Sequence, residues 1–335
     1  MKKINHSLNV LKFFAMFGVI CIHTITEVTN SLSLIIIQLS SCAVLIFFMI
    51  SGFYSYYEDN SKATEKYKTR LIRLVILTAI SNILYLFVST NVIRGLLANN
   101  YLIILTRVPS LFDFLILNIG TAFHLWFLFA LLYCYILLMI LLKLNVSPKK
   151  LYILIPVLLL INLFLGEFLL CNGITVSLFY YRNFLLTGLP FFMLGYFIHN
   201  KYDKIIPKIS NKQLFGLLIL VLCFFIIELS ITKTSAVLNV SCIFLTLLLF
   251  IYCVKNPNTL NLKVIGWIGG TLYAYIYILH PIAIRLMKWI NAQFLNVNSS
   301  YLLSVETFIS TIVISYIIYL IIKRLRSFVN KRSRT

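Results

Sequence analysis

Charge is scarce in this chain. Only 11% of its 335 residues are charged, while 61% are hydrophobic, and mean hydropathy is +0.97. Soluble domains carry about a quarter charged residues, so a water-soluble globular fold is excluded. Acid is the scarcer sign: nine Asp and Glu stand against 29 Lys and Arg, for a net charge of +20. Paired cysteines are absent. Cys21, Cys42, Cys134, Cys171, Cys223, Cys242 and Cys253 fall inside or at the ends of apolar runs, and none makes a CxxC pair or a metal-spaced group. They read as small buried hydrophobes, and no metal site is expected. Period-two alternation is also missing, which argues against barrel strands. No internal repeat stands out.

Long apolar runs are what the chain has. They predict an all-α, polytopic transmembrane bundle. Ten spans are expected near 8–29, 34–57, 71–90, 122–143, 151–171, 182–200, 214–231, 236–254, 265–290 and 301–323. The first follows Met1, Lys2 and Lys3 as a signal peptide would. It is about 20 residues long and has no small-residue cleavage site, so it reads as an uncleaved helix. The whole of 1–335 is expected to be one integral membrane domain, with 324–335 as a basic cytoplasmic tail. The longest piece between spans is 91–121. Within it, "YLIILTRVPSLFDFLILNI" (101–119) is apolar but broken by Arg107, Pro109 and Asp113. It reads as an interfacial or re-entrant segment.

An even number of spans puts both termini on one side. Of the 29 basic residues, 22 fall on that side and six on the other, with Lys12 inside the first span. Such asymmetry places both termini in the cytoplasm and the chain in the cell (plasma or inner) membrane. The bases lie between apolar runs rather than on a soluble face. The bilayer is therefore the expected partner of the positive charge, and nucleic acid is not.

Orientation converts positions into depths. His23 lies 15 residues beyond Leu8, roughly 22 Å up a core about 30 Å thick. His280 reaches a similar level in the ninth span. His124 and Arg182 open the fourth and sixth spans from the outer side, and Glu27, Glu167 and Glu228 sit near outer helix ends. Lys12, Arg70 and Arg73 lie low. Lys12 and His23 are eleven residues apart, so they differ by only about 20° around a helix and face one groove. Glu27, four residues after His23, is expected one turn on, within reach of the imidazole. Each residue also has a plain reading. Lys12 can snorkel to headgroups; Arg70 and Arg73 belong to the positive-inside signal; His124 beside Trp126 can anchor at the interface; His280 before Pro281 can be a satisfied polar group at a kink. His23, deep in an apolar run, resists such a reading and is the foremost functional candidate.

These residues sit in a recognisable order of motifs. Lys12, ten intervening residues and His23 resemble the basic-residue–x10–His hallmark of the acyltransferase-3 family of integral membrane O-acyltransferases. Lys12 replaces the usual Arg, and Asn9 stands where Asp is common. "FFMISGF" (47–53), "RLIRL" (70–74), "HLWFLFALLYCY" (124–135), "GLPFFMLGYF" (188–197) and "LYAYIYILHP" (272–281) resemble further family signatures, in the same order. The resemblance runs from about residue 5 to 290.

The resemblance implies transfer of an acyl group, usually acetyl, from acyl-CoA to a hydroxyl of a cell-envelope or secreted polysaccharide. Acyl-CoA would be a donor substrate, with no bound cofactor. Inner bases Lys12, Arg70 and Arg73 would hold its phosphates. His23 would act as general base, oriented by Glu27. His124, Arg182 or His280 would hold substrate or stabilise the oxyanion. Relay through an acyl-histidine fits equally. Because the chain has no esterase-like domain, it would act directly or with a partner from envelope biosynthesis. The rival class is a transporter, flippase or exporter of a glycan or lipid-linked substrate, in which midplane ionisable groups serve proton coupling.

Overall fold

The computed structural model describes residues 5–88, 122–233, 236–295 and 299–332. Segment 101–119, and Arg94 and Arg107 with it, lie outside the described residues. Within them the secondary structure is helical, with no strand. The reason is the solvent: in hydrocarbon every backbone N–H and C=O must be satisfied by protein, and a helix does so within its own segment.

Among the described residues, eleven helices of nine residues or more carry the fold. They are α1 (His6–Thr24), α2 (Ser31–Phe53), α3 (Asn60–Val88), α4 (Phe123–Lys143), α5 (Pro148–Cys171), α6 (Phe184–Asn200), α7 (Asn211–Thr232), α8 (Val240–Lys255), α9 (Lys263–Thr271), α10 (Tyr273–Ile290) and α11 (Ser300–Arg332). All ten predicted segments are occupied by helix, but not all as straight spans. Among the described residues, seven helices are long and apolar enough to cross a membrane. The ninth segment is the pair α9 and α10, which extends to Phe294 and is bent by 80°, and α6 and α8 are shorter apolar helices. By length and composition the count is therefore seven or eight. The region expected as a tail from 324 is helical as far as Arg332.

Helix faces match a lipid solvent. On α3, Ile72, Ile76, Ile80, Ile83 and Phe87 are all at least half exposed. Their spacing of four, four, three and four makes one outward stripe. Water would penalise that stripe; lipid does not. Two cysteines expected inside, Cys171 and Cys223, are also exposed, while the other five are buried. A small thiol is tolerated on a lipid-facing surface.

The chain divides into two compact units. The first comprises Met1–Ala43, Leu218–Ser235 and Leu245–Thr335. Its α1 is capped by Asn5, whose side chain accepts from the Leu8 amide at 2.8 Å and donates to the Cys253 carbonyl at 2.9 Å. Ser7 adds a bond from its amide to the Pro257 carbonyl at 3.0 Å. The start of α1 is thereby pinned to the end of α8. Next to it, α9 packs backbone to backbone: a Cβ on Gly269 would stand 2.1 Å from the Asn9 carbonyl oxygen. Only glycine fits there.

The second unit comprises Val44–Leu217 and Ala236–Phe244. Its centre is a reciprocal crossing of α2 and α6. A Cβ on Gly52 would meet the Phe192 oxygen at 1.8 Å, and one on Gly195 the Met49 oxygen at 1.9 Å. The two similar stretches "FFMISGF" and "FFMLGYF" thus each supply the glycine for the other's backbone. At the start of α3, Asp59 accepts from the Ser61 amide at 2.9 Å and hydroxyl at 2.7 Å. The Ser61 hydroxyl, then its amide, hold the Asp59 carboxyl below the usual range.

Candidate functional site

In the first unit, α1 and α10 meet along a seam with two rungs. At the upper rung the rings of His23 and His280 lie 5.1 Å apart between centroids, tilted by 37°. At the lower rung Lys12 Nζ sits 5.0 Å above the Tyr273 ring and donates to Asn9 Oδ1 at 3.4 Å. Eleven residues separate Lys12 from His23 on α1, roughly 16 Å of rise; seven separate Tyr273 from His280 on α10, roughly 10 Å. Both spacings return to within about 20° of the same helix face. The difference of about 6 Å is the length of a lysine stem.

His280 is fully buried, and its Nδ1 lies 2.8 Å from the Tyr277 carbonyl oxygen. Pro281 explains why that carbonyl is available. An amide at 281 would bond the carbonyl four residues back, but proline has no N–H. The Tyr277 oxygen is left over, and the neighbouring imidazole takes it. A carbonyl only accepts, so Nδ1 carries the proton and, in the neutral ring, Nε2 holds the lone pair. The "HP" dipeptide is therefore a tautomer-setting device. It does not produce the bend expected here: α10 runs through Pro281, and the 80° break falls between Thr271 and Tyr273. The adjacent Gly269, needed for contact with α1, is a poor helix former.

The expected helical relation between His23 and Glu27 does not form. Helix α1 stops at Thr24, with Ile25 at φ −93°, ψ 85°. Glu27 lies beyond the helix on an exposed turn, so it does not occupy the position one turn above His23. The end of α1 is instead tied to α11: the Thr24 and Ser304 hydroxyls share a hydrogen bond of 2.6 Å.

In the second unit the structure brings His124 and Arg182 to one turn of chain. His124 is buried in the short 3-10 turn Phe123–Leu125, with its ring edge-on to Tyr85 at 4.6 Å. The Arg182 guanidinium lies 4.7 Å from the Phe123 ring and 4.9 Å from the Trp126 ring. Asn162 holds the segment that carries Arg182. Fully buried on α5, it donates to the Tyr181 and Leu186 carbonyls, both at 2.9 Å.

Arg70 and Arg73 look equivalent in sequence and differ in structure. Arg70 donates through Nη1 to Ser55 Oγ at 2.8 Å and through Nη2 to the Tyr54 carbonyl at 2.8 Å and Tyr57 hydroxyl at 3.1 Å. It staples the turn between α2 and α3. Arg73 is exposed on α3. Among the described residues, no group of three His, Cys, Asp or Glu is placed to hold a metal ion.

Sequence reasoning reached the two histidines and Lys12. It missed Tyr273, the Tyr277 carbonyl and Asn162. The first two are encoded in "YAYIYILHP", where the tyrosines lie seven and three residues before the histidine; Asn162 carries no signal beyond being a lone amide in an apolar run.

A family model described as an acyltransferase domain, Acyl_transf_3, matches residues 5–320. No curated protein and no solved structure matches the chain.

Proposed function

The chain belongs to the acyltransferase-3 family and is a multi-pass membrane acyltransferase, and from that premise we propose that it moves an acetyl group from acetyl-CoA to a hydroxyl of a cell-envelope polysaccharide. The observation that carries this reading is the His23–His280 pair above the Lys12–Tyr273 rung. We assign the termini to the cytoplasm of the cell membrane from the excess of bases on their side. In that orientation Lys12 is near the face where acyl-CoA is found, and the histidine pair lies toward the opposite face.

The seam can serve the transfer by general-base catalysis. The acceptor oxygen attacks the thioester carbonyl carbon while its proton passes to a ring nitrogen of His23. The new C–O bond forms, the C–S bond breaks, and the proton passes from the imidazolium to the leaving sulfur, which departs as the thiol of CoA. His280, with its tautomer set, presents a lone pair toward which a neighbouring donor can orient. Lys12 offers its charge low in the seam to the anionic donor. Arg70, engaged with its own chain, shapes the turn between α2 and α3. Glu27, in the same unit as His23, is assigned to the acceptor side.

The test combines chemistry and genetics. Purified protein in nanodiscs, given acetyl-CoA, should release CoA, and wild type but not His23→Ala should do so. Mass spectrometry of envelope glycans from a deletion strain should lack one acetyl mass, restored by the wild-type gene alone. Unchanged glycans together with uptake or export of a substrate independent of acetyl-CoA would instead support a transporter.

A further inference from the structure

We propose that the pocket at the C-terminal ends of α1 and α10 is the acceptor site, and that it selects a neutral, hydroxyl-rich sugar over an acidic one. This rests on the acyl-transfer reading. The pocket has a volume of about 1020 Å³, at the upper end of the range for small-molecule sites. Its wall differs from the usual apolar one. Among its lining residues only Ile25, Ala292 and Leu303 are apolar; the rest offer hydroxyls, an amide and two charges. Such a wall suits a ligand that is polar all over.

Position links it to the histidine seam. Thr24, the residue after His23, lines the pocket. So does Asn291, eleven residues beyond His280 and on the same face of the helix to within about 20°. A ligand filling the pocket reaches the last turn of α1, where His23 sits.

Charge decides the class. One carboxylate, Glu27, and one ammonium, Lys288, line the pocket, and both side chains are exposed. Together they are neutral. A sugar hydroxyl can donate to the first and accept from the second, whereas an acid gains Lys288 and is repelled by Glu27. The CoA phosphates are disfavoured for the same reason, so donor and acceptor are kept apart. Asn291 sharpens the choice. It is 6% exposed, its Nδ2 donates to Glu306 Oε2 at 2.8 Å, and its Oδ1 has no hydrogen-bond partner. Glu306 occupies the donor end of the amide, and Oδ1 remains an unsatisfied acceptor buried in the pocket wall, which a ligand hydroxyl or amide N–H reaches only if the wall shifts.

Full-length protein in nanodiscs would be titrated by saturation-transfer NMR with three probes: maltotriose, chitotriose and trigalacturonate. At least one neutral trisaccharide should bind more tightly than trigalacturonate. Lys288→Gln and Glu27→Gln, both at exposed positions, should each weaken it by about fivefold or more. Glu27→Gln should also narrow the preference over trigalacturonate. No binding by either neutral probe, tighter binding of the acid, or affinity unchanged in both variants would overturn the proposal. Acetyl-CoA hydrolysis without sugar, followed in the same samples, keeps the two readings separate. Pocket-dependent sugar binding without any acetyl-CoA turnover would reject the transferase chemistry and leave the pocket standing.

Discussion

His280 Nδ1 donates to the carbonyl of Tyr277, 2.8 Å away, because Pro281 has no amide to claim that oxygen. This makes Pro281 a positioning residue with an unusual signature. Pro281→Ala supplies an N–H to the Tyr277 carbonyl and regularises the helix, while competing with the imidazole. The expected result is a Tm that holds or rises, a kcat about tenfold lower, and a pH–rate profile displaced from that of wild type. A fall in Tm with an unchanged profile would show that proline matters only for packing.

His23→Ala should lower transferase turnover by about 10²–10⁴-fold, the range for a lost general base. His23→Gln should do the same while keeping the size of the side chain. Folding should persist in both, since His23 is only part-buried at the last turn of α1. Circular dichroism and size-exclusion profiles in detergent check the fold; CoA release checks the chemistry.

Lys12 rests on the Tyr273 ring. Lys12→Arg keeps the charge and the preference for an aromatic face, so its KM for acetyl-CoA should stay within about threefold of wild type. Lys12→Met keeps the stem and removes the charge, and should raise that KM about tenfold or more with a smaller change in kcat. Equal KM values in all three proteins would reduce Lys12 to a membrane anchor.

Glycine contacts predict a graded stability series. Gly52→Ala and Gly269→Ala place a methyl group against backbone, at 1.8 Å and 2.1 Å from a carbonyl oxygen. Each should cost about 1–3 kcal/mol or more, as overpacking does. Gly216, on exposed α7, has nothing within 4 Å of an added Cβ. Gly216→Ala should stabilise by roughly 0.5–1 kcal/mol. Thermal melts of the detergent-solubilised proteins should rank them in that order.

Asn162→Leu removes the amide that satisfies the Tyr181 and Leu186 carbonyls. It should lower stability by about 1–3 kcal/mol. It should also loosen the segment carrying Arg182, read as faster proteolysis near Tyr181. Arg182→Lys, which keeps the charge, should leave that cleavage rate unchanged.

Composition and local periodicity determined a good deal by themselves. An apolar run with few charges and no period-two alternation becomes helix in a bilayer, because helix and closed barrel are the two ways a spanning backbone satisfies itself; all ten expected segments are occupied by helix. The eleven-residue spacing of Lys12 and His23 was equally legible, because α1 is one uninterrupted helix and helical phase is a local property. Three things were not local. The 80° break between α9 and α10 lies beside the close approach of Gly269 to Asn9, residues far apart in sequence. Whether Glu27 lies above His23 depends on where α1 ends, and that end is tied to α11 through Ser304. That His23 and His280 share a rung is a property of two helices side by side. Periodicity fixes the direction of a side chain around its own axis; only packing decides what stands opposite.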